Sequence, residues 1–543
     1  MSTTSSSGPE VFTRKASGLV RVMSPYSAFM YNILTMGLIF PWTYLWAPGS
    51  LPGGSLVWGI LLAMLIELPI ALIYVWFSTA LPRSGGDYVF QSRVFGGGIG
   101  FTVVMSGFVI WILQWVALSG WLVSYLGFAP LFLGLGATMK AASLTSLGLW
   151  FTTPNGIVIV SIINAALSLW LLVAGFKHYV KLQYVMFYGM VIAFILMIVT
   201  LLGSSPTSFA HVFDNFVIAS GGKPGFYETA IAAAKTAGIN LHPPFSLWST
   251  ILVAPIAWTS LQWASYSSLQ NGEIKGARSF SNQLLIILGS LLVTGLALAL
   301  LAYAFESAVG TEFIYVAGAG YSAGLSQGTF DGVYLWPNIV SMAISGSPIV
   351  IILIALGYLL NSFQIVNNSY IGVTRVMIAM SLDRLLPERL SRVSPRLHTP
   401  VFAHVLYFLA SIPVICLYNY WSHWGALTLG VTFACGYVFM VTAFSAALLP
   451  WRAKALYLAS PGSAYKLAGL PLVTILGVIG GILAVGMELM FMFSSAFGLN
   501  TMLAREVVLG VLIIAAIWYI IAKQVQRARG IDVTYAFKEI PPE

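Results

Sequence analysis

Several carboxamides and two carboxylic acids stand inside stretches of this chain that are otherwise almost wholly apolar. Asn361, Gln364 and Asn368 follow one another at i, i+3 and i+7, which puts them on one face of a helix, with Asn367 and Ser369 beside them. Amides at membrane depth must find partners, so that face should point into a helix bundle or a wet cavity. Trp111, Gln114, Trp115 and Ser119 form a second stripe, with the two tryptophans at i and i+4; it reads as a pocket wall or as plain packing. Glu67 lies two residues before Pro69. An ionised carboxylate in the bilayer core costs about 2.5–3.5 kcal/mol on insertion scales. Glu67 is therefore either a proton relay or a neutral acid hydrogen-bonded beside a proline kink, and Glu488, far along the chain, reads as structural. Such groups can hold a small solute or pass an ion. Covalent chemistry has no matching signal: there is no Gly-rich phosphate loop ending in Gly-Lys-Ser/Thr, no His-Glu-x-x-His pair and no Gly-x-Ser-x-Gly elbow. No enzyme activity, cofactor or metal is expected.

The elements that must position these residues follow from composition. Of 543 residues, 59% are hydrophobic and only 8% charged, and the mean hydropathy is +0.89. A soluble domain carries roughly a quarter charged residues, so a soluble enzyme, a disordered chain and a disulfide scaffold are all excluded. Cys416 and Cys435, the only two cysteines, both lie in apolar runs. A helical membrane protein remains.

A spanning helix needs about 20 apolar residues. Such runs fall near 24–46, 55–80, 98–128, 155–175, 180–202, 247–270, 283–305, 347–380, 400–418, 425–449, 469–496 and 505–522, twelve in all. The stretch 129–153 is apolar but Gly-rich and short, and is expected to be a loop or an interfacial piece. With a cytoplasmic N-terminus, 21 of the 25 lysines and arginines fall on the inside; only Lys140, Lys223, Lys235 and Arg505 fall outside. One span more or fewer would destroy that bias, so both termini are expected in the cytoplasm. The net charge of +9 is thus a topology signal facing anionic lipid, and no nucleic-acid partner is expected. The opening Ser/Thr-rich residues read as a flexible tail with no signal-peptide pattern.

Three segments carry a resemblance. Pro82-Arg83-Ser84-Gly85-Gly86-Asp87-Tyr88 follows span two, Asn271-Gly272-Glu273-Ile274-Lys275-Gly276-Ala277-Arg278-Ser279 follows span six, and Arg375 through Asp383-Arg384-Leu385-Leu386-Pro387 to Thr399-Pro400 follows span eight. In this order, at these loops, the chain resembles the amino acid–polyamine–organocation (APC) superfamily of secondary transporters over about residues 20 to 450. The resemblance implies an all-α integral membrane protein with a 5+5 inverted repeat. Residues 1–23 would be a flexible cytoplasmic tail, 24–202 the first repeat, 203–246 an extracellular loop, 247–449 the second repeat, 450–522 two peripheral spans and 523–543 a cytoplasmic C-terminal tail. Helices one and six would each be broken near the midplane, with Gly37 and Pro41 as breakers in the first and Pro255 in the second, the second break lying at Trp258.

What the resemblance implies for the site follows residue by residue. Thr35, Met36 and Gly37 would contact the substrate backbone. Trp258, Thr259, Ser260 and Gln262 would line the second break, the aromatic as a gate. Gln364 and Asn368 would face the substrate, Asn368 and Ser369 would lie at an ion-coupling position with Glu67 as a further candidate, and Trp111 and Gln114 would wall the pocket. Some proton-coupled relatives carry a lysine in span five; Met190 stands near that position here, and no lysine occurs between 182 and 222. The implied function is alternating-access transport of amino acids or related organic amines across the cytoplasmic membrane, coupled to protons, to sodium or to an exchanged solute. Polyamines, nucleobases or other organic solutes are the alternative cargo, and a channel or sensor on the same scaffold is the rival of another class.

Overall fold

The computed structural model describes residues 18–39, 47–220, 222–320, 336–421, 424–494, 496–497 and 501–538. Pro41, expected as a helix breaker, lies outside them. Among the described residues nine helices are long and apolar enough to cross a membrane: α2 (Leu56–Ala80), α4 (Gly97–Met139), α5 (Pro154–Ala174), α6 (Phe176–Leu202), α8 (Phe280–Val309), α9 (Pro348–Leu382), α10 (Val401–Tyr420), α12 (Leu472–Phe493) and α13 (Met502–Ala528). The three other sequence-predicted spans are represented by shorter or partly described helices, α1 (Pro25–Met36), α7 (Leu247–Leu261) and α11 (Trp424–Arg452). A short helix, α3 (Gly86–Val94), lies between α2 and α4. The only strands among the described residues, β1 (Lys466–Leu467) and β2 (Leu470–Pro471), form a two-residue antiparallel hairpin before α12.

Local chemistry sets the helix starts. Side chains of Ser24, Ser55, Thr153, Ser246 and Thr501 cap α1, α2, α5, α7 and α13, and proline opens α1, α5 and α9. Large apolar residues such as Trp170, Ile482 and Phe493 are exposed on the outside, where lipid tails accept them as readily as a core would.

Two expectations are corrected. Residues 129–153 are helical: Ala129–Met139 continues α4, and Ala142–Trp150 packs back on it. The glycines read as loop markers are close-contact points. A methyl group on Gly136 would lie 2.4 Å from Thr145 Oγ1, and one on Gly148 would lie 2.8 Å from Leu133 Cγ. The expected break at Trp258 is also absent. The helix runs through Pro255 and Trp258 to Leu261 and only then tightens into a 3₁₀ segment, Gln262–Leu269. The long loop 203–246 folds into two helices, Pro206–Ala219 and Phe226–Thr236.

The three motif segments converge at one end of the bundle. Gly85 N–H donates to Leu269 O at 2.8 Å, and a Cβ on Gly85 would lie 2.6 Å from the Ala379 methyl. Its φ of 110° is a second reason for glycine. Val22 and Met23 both donate to Glu273 O, and Asn271 Nδ2 donates to Ser78 O at 2.7 Å. Arg375 meets the Glu273 carboxylate through two bonds of 2.7 and 2.9 Å, and Arg93 meets Asp383 through two of 2.8 and 3.2 Å, with Tyr88 adding a third donor to Asp383. Each planar guanidinium is matched to a carboxylate, as a buried charge requires.

Candidate functional site

Helix α1 stops inside the protein. Gly37 adopts φ 77°, ψ 116°, which turns the chain out of the helix, and its N–H donates to Ile33 O at 2.7 Å. A helix end leaves carbonyls without intrahelical donors. Here neighbouring helices supply them: Asn361 Nδ2 of α9 donates to Leu34 O at 2.9 Å, Ser260 Oγ of α7 donates to Met36 O, and Tyr358 OH of α9 donates to Ile39 O at 2.6 Å. Asn32 staples the other side, donating to Ser267 Oγ and Ile286 O and accepting from Ser267 N. Polar side chains of neighbouring helices thus hold a helix terminus in place.

The carboxamide face of α9 meets this terminus. Asn368 Nδ2 donates to Thr35 Oγ1 at 2.6 Å, and Asn368 Oδ1 accepts from Gln364 Nε2 at 2.5 Å. Gln364 Nε2 also donates to the Tyr179 hydroxyl of α6. Tyr266 OH, in the 3₁₀ segment, donates to Asn368 O at 3.2 Å. Across from them Trp263 Nε1 donates to Thr259 O at 2.9 Å, and its ring meets Trp115 and Tyr266 edge-on, with centroids 5.5 and 5.3 Å apart.

A cavity of about 40 Å³ lies between these elements, lined by Thr35, Met36, Ile112, Trp115, Thr259, Ser260, Trp263, Tyr266, Ile365, Asn368 and Ser369. No charged side chain is among them. That volume holds about three water molecules, so the walls must part before a larger solute enters. A larger space of about 1030 Å³ lies between the end of α9 and α13, walled by Ile514, Ile517, Trp518 and Ile521. Its lining also carries the charged Arg384, Glu388 and Arg529, and it shares no residue with the smaller cavity.

Of the sequence-predicted residues, the structure brings Thr35, Met36, Thr259, Ser260, Asn368 and Ser369 together on the cavity. Gly37 ends α1 beneath it, and Gln364 orients Asn368 from behind. Trp111, Gln114 and Gln262 are buried but do not line it. Trp258 turns away, donating Nε1 to Glu67 Oε2 at 2.6 Å, so it gates nothing in this structure, and Glu67 is its partner rather than a wall of the cavity. Sequence reasoning missed Ile112, Tyr266 and Ile365 and placed no bet on Trp263. Trp263 follows Thr259 by four residues, so a helical reading of 258–266 in place of a break would have found it.

A family described as amino acid permease matches residues 24–522. The chain belongs to the amino acid permease family. This family lies in the APC superfamily, as the three motif segments implied. Among curated proteins, the permease is 35% identical over 83 residues to a Methanocaldococcus jannaschii protein whose name proposes an amino-acid transporter, a match of 15% of this chain and 20% of the relative. It is 29% identical over 102 residues to an uncharacterized protein of Sulfolobus islandicus rod-shaped virus 1, or 17% of this chain and 26% of that one. The matches therefore span about a fifth and a quarter of these relatives' own lengths. Nine helices of membrane-crossing length and composition among the described residues agree with a multi-pass membrane protein of this family.

Proposed function

We propose that this permease is a secondary active transporter moving amino acids or related organic amines across the cytoplasmic membrane by alternating access. The observation that carries the reading is α1 ending at Gly37 beside an uncharged cavity, its last carbonyls held by side chains of α7 and α9. A helix C-terminus carries partial negative charge and favours an ammonium group. A solute can replace the Ser260 bond to Met36 O and the Asn368 bond to Thr35 Oγ1 one for one as the bundle opens, so neither partner is left bare. The uncharged lining favours a zwitterion or a monoamine over a polyamine, whose several charges would find no carboxylate there.

In this reading Thr35, Met36, Thr259, Ser260 and Asn368 touch the substrate, Gly37 and Gln364 position them, and Asn368 with Ser369 holds any coupling ion. Trp111, Gln114, Trp258 and Gln262 support from behind. Twelve spans in a 5+5 inverted repeat, with two peripheral helices and both termini cytoplasmic, complete it. A proton gradient, a sodium gradient or an exchanged solute supplies the drive, and no bond is made or broken. The test is uptake in proteoliposomes with imposed pH and sodium gradients against a panel of labelled solutes. Competition by amines but by no amino acid would overturn the cargo, and unitary ion currents in a planar bilayer would overturn the mechanism.

A further inference from the structure

Two acids at membrane depth lie outside the cavity. The substrate cavity uses neither Glu67 nor Glu488. Glu67 on α2 and Glu488 on α12 are 0% and 5% exposed, and one indole joins them. Trp258 Nε1 donates to Glu67 Oε2 at 2.6 Å. The far edge of the same ring reaches the notch left by Gly436 of α11. A methyl group built there would fall 1.8 Å from Glu488 Oε1 and 3.1 Å from Trp258 Cζ3. Glycine at 436 is what lets the Glu488 carboxyl and the ring edge share that space. Glu67 Oε1 and both oxygens of Glu488 have no hydrogen-bond partner among the described residues.

No ion pair reaches either acid among the described residues. The titratable neighbours are Tyr74 on α2 and Cys435 and Tyr437 on α11, none of them a cation. A lone carboxylate in such a place costs several kcal/mol, so the notch suits the neutral acid, which carries a proton. Tyr74 follows Glu67 by seven residues on the same face of α2. Its hydroxyl donates to Asp87 of α3, which also accepts from Thr442 Oγ1 at 2.6 Å. Asp87 lies outside the membrane helices, and burial pushes its pKa up to about 6. Titratable groups thus run from Glu488 and Glu67 through Tyr74 to Asp87 at the motif end.

We propose that Glu67, Glu488 and Trp258 form a proton-binding site, separate from the substrate cavity, whose loading and unloading biases the position of α7 and so couples proton movement to transport. Trp258 directly precedes Thr259 and Ser260, which line the cavity, so a shift of α7 is felt at both places. With the acids neutral, the indole lies between them as observed. Loss of the proton leaves a charge that this packing cannot stabilise, and α7 must move to admit water. The proton enters from one aqueous side and leaves to the other. The inference rests on the transporter reading for its coupling step and on geometry alone for the site.

The test uses the full chain in two arms, with Glu67→Gln, Glu488→Gln and Trp258→Phe each checked for monodispersity by size-exclusion chromatography. In lipid bilayers, pH-difference infrared spectra should show a protonated-carboxyl band that weakens in both Gln variants and shifts in Trp258→Phe. In proteoliposomes each imposed pH unit should support about tenfold accumulation by the wild type and less than about twofold by either Gln variant, with exchange of labelled against unlabelled solute continuing. A band of unchanged strength in both Gln variants overturns the site. Accumulation driven by sodium but not by pH, or undiminished in both variants, overturns the coupling. A wild type that accumulates no amino acid or amine under any gradient sinks the transporter reading instead, and the infrared arm still judges the proton site.

Discussion

Along α9, Arg375 and Asn368 are two turns apart, yet their surroundings differ in kind. Arg375 is fully buried and grips Glu273 through two bonds, and nearby Arg93 grips Asp383 through two more. Asn368 faces a cavity with no charge in its walls, which it shares with Trp115, whose indole nitrogen has no partner among the described residues. Matched buried charges have one good arrangement and make a rigid floor. Neutral donors and acceptors can exchange partners at about 1 kcal/mol each. The protein thus keeps its strong, unforgiving contacts at the motif end and its exchangeable ones at the cavity proposed to receive a solute.

Removing one member of a floor ion pair should have the largest effect. Arg375→Ala strands Glu273 as a buried charge, a loss of about 3–5 kcal/mol. Thermal unfolding followed by size-exclusion chromatography should show little folded protein. The double change Arg375→Met with Glu273→Leu should recover much of the loss, since no charge is then stranded. If Arg375→Ala unfolds like the wild type, the contrast between floor and cavity is wrong.

Next comes Gly85→Ala. The new methyl meets Ala379 at 2.6 Å on a backbone with φ 110°. Left-handed backbone costs about 1–2 kcal/mol for a residue with a Cβ, and overpacking adds about 1–3 kcal/mol. Stability should fall by about 2–5 kcal/mol, with solute affinity unchanged in the protein that survives. Altered solute selectivity would mean that the motif end shapes the cavity directly.

How much of this was legible in the sequence depended on the kind of signal. Hydropathy exposed the helices because a bilayer sets a minimum apolar length on each of them. The motif segments exposed the floor because buried ion pairs and tight glycine turns admit few residue types. The cavity was only half legible. Asn368 stood out by its spacing, and Ser369, Thr35 and Ser260 through the resemblance, but Tyr266 and Ile112 are ordinary residues in an aromatic, apolar chain, and only the crossing of helices selects them. Pro255 misled, because a proline can sit in a continuous helix whose freed carbonyl is satisfied by its surroundings. The glycines of 129–153 misled for the same reason: one residue type serves both loops and close helix contacts.

On the cavity side, Asn368→Leu should act on transport more than on folding. It removes the contacts to Thr35, Gln364 and any bound solute, two or three hydrogen bonds of about 1 kcal/mol each. Uptake should fall about hundredfold while the protein stays monodisperse and inserted. Unchanged affinity and rate would take Asn368 out of the site.

Ser260→Ala is the smallest change and the finest probe of the comparison. It deletes one hydroxyl, the donor to Met36 O, and leaves the α1 end with a bare carbonyl in this conformation. One unmade hydrogen bond to a buried group costs about 1–1.5 kcal/mol, or about tenfold in an equilibrium. If the carbonyl is bare only while the cavity is empty, a solute that brings its own donor restores the bond. Apparent affinity for amine-bearing solutes should then hold within about threefold while the empty protein opens about tenfold more readily. The check is accessibility of a cysteine introduced at Ile365 to a thiol reagent, with and without solute, in a background lacking Cys416 and Cys435. Equal protection by solute in both proteins with faster labelling of empty Ser260→Ala supports the exchange of partners. Unchanged labelling of the empty protein would mean the Ser260 contact merely packs, and the cavity would then be as fixed as the floor.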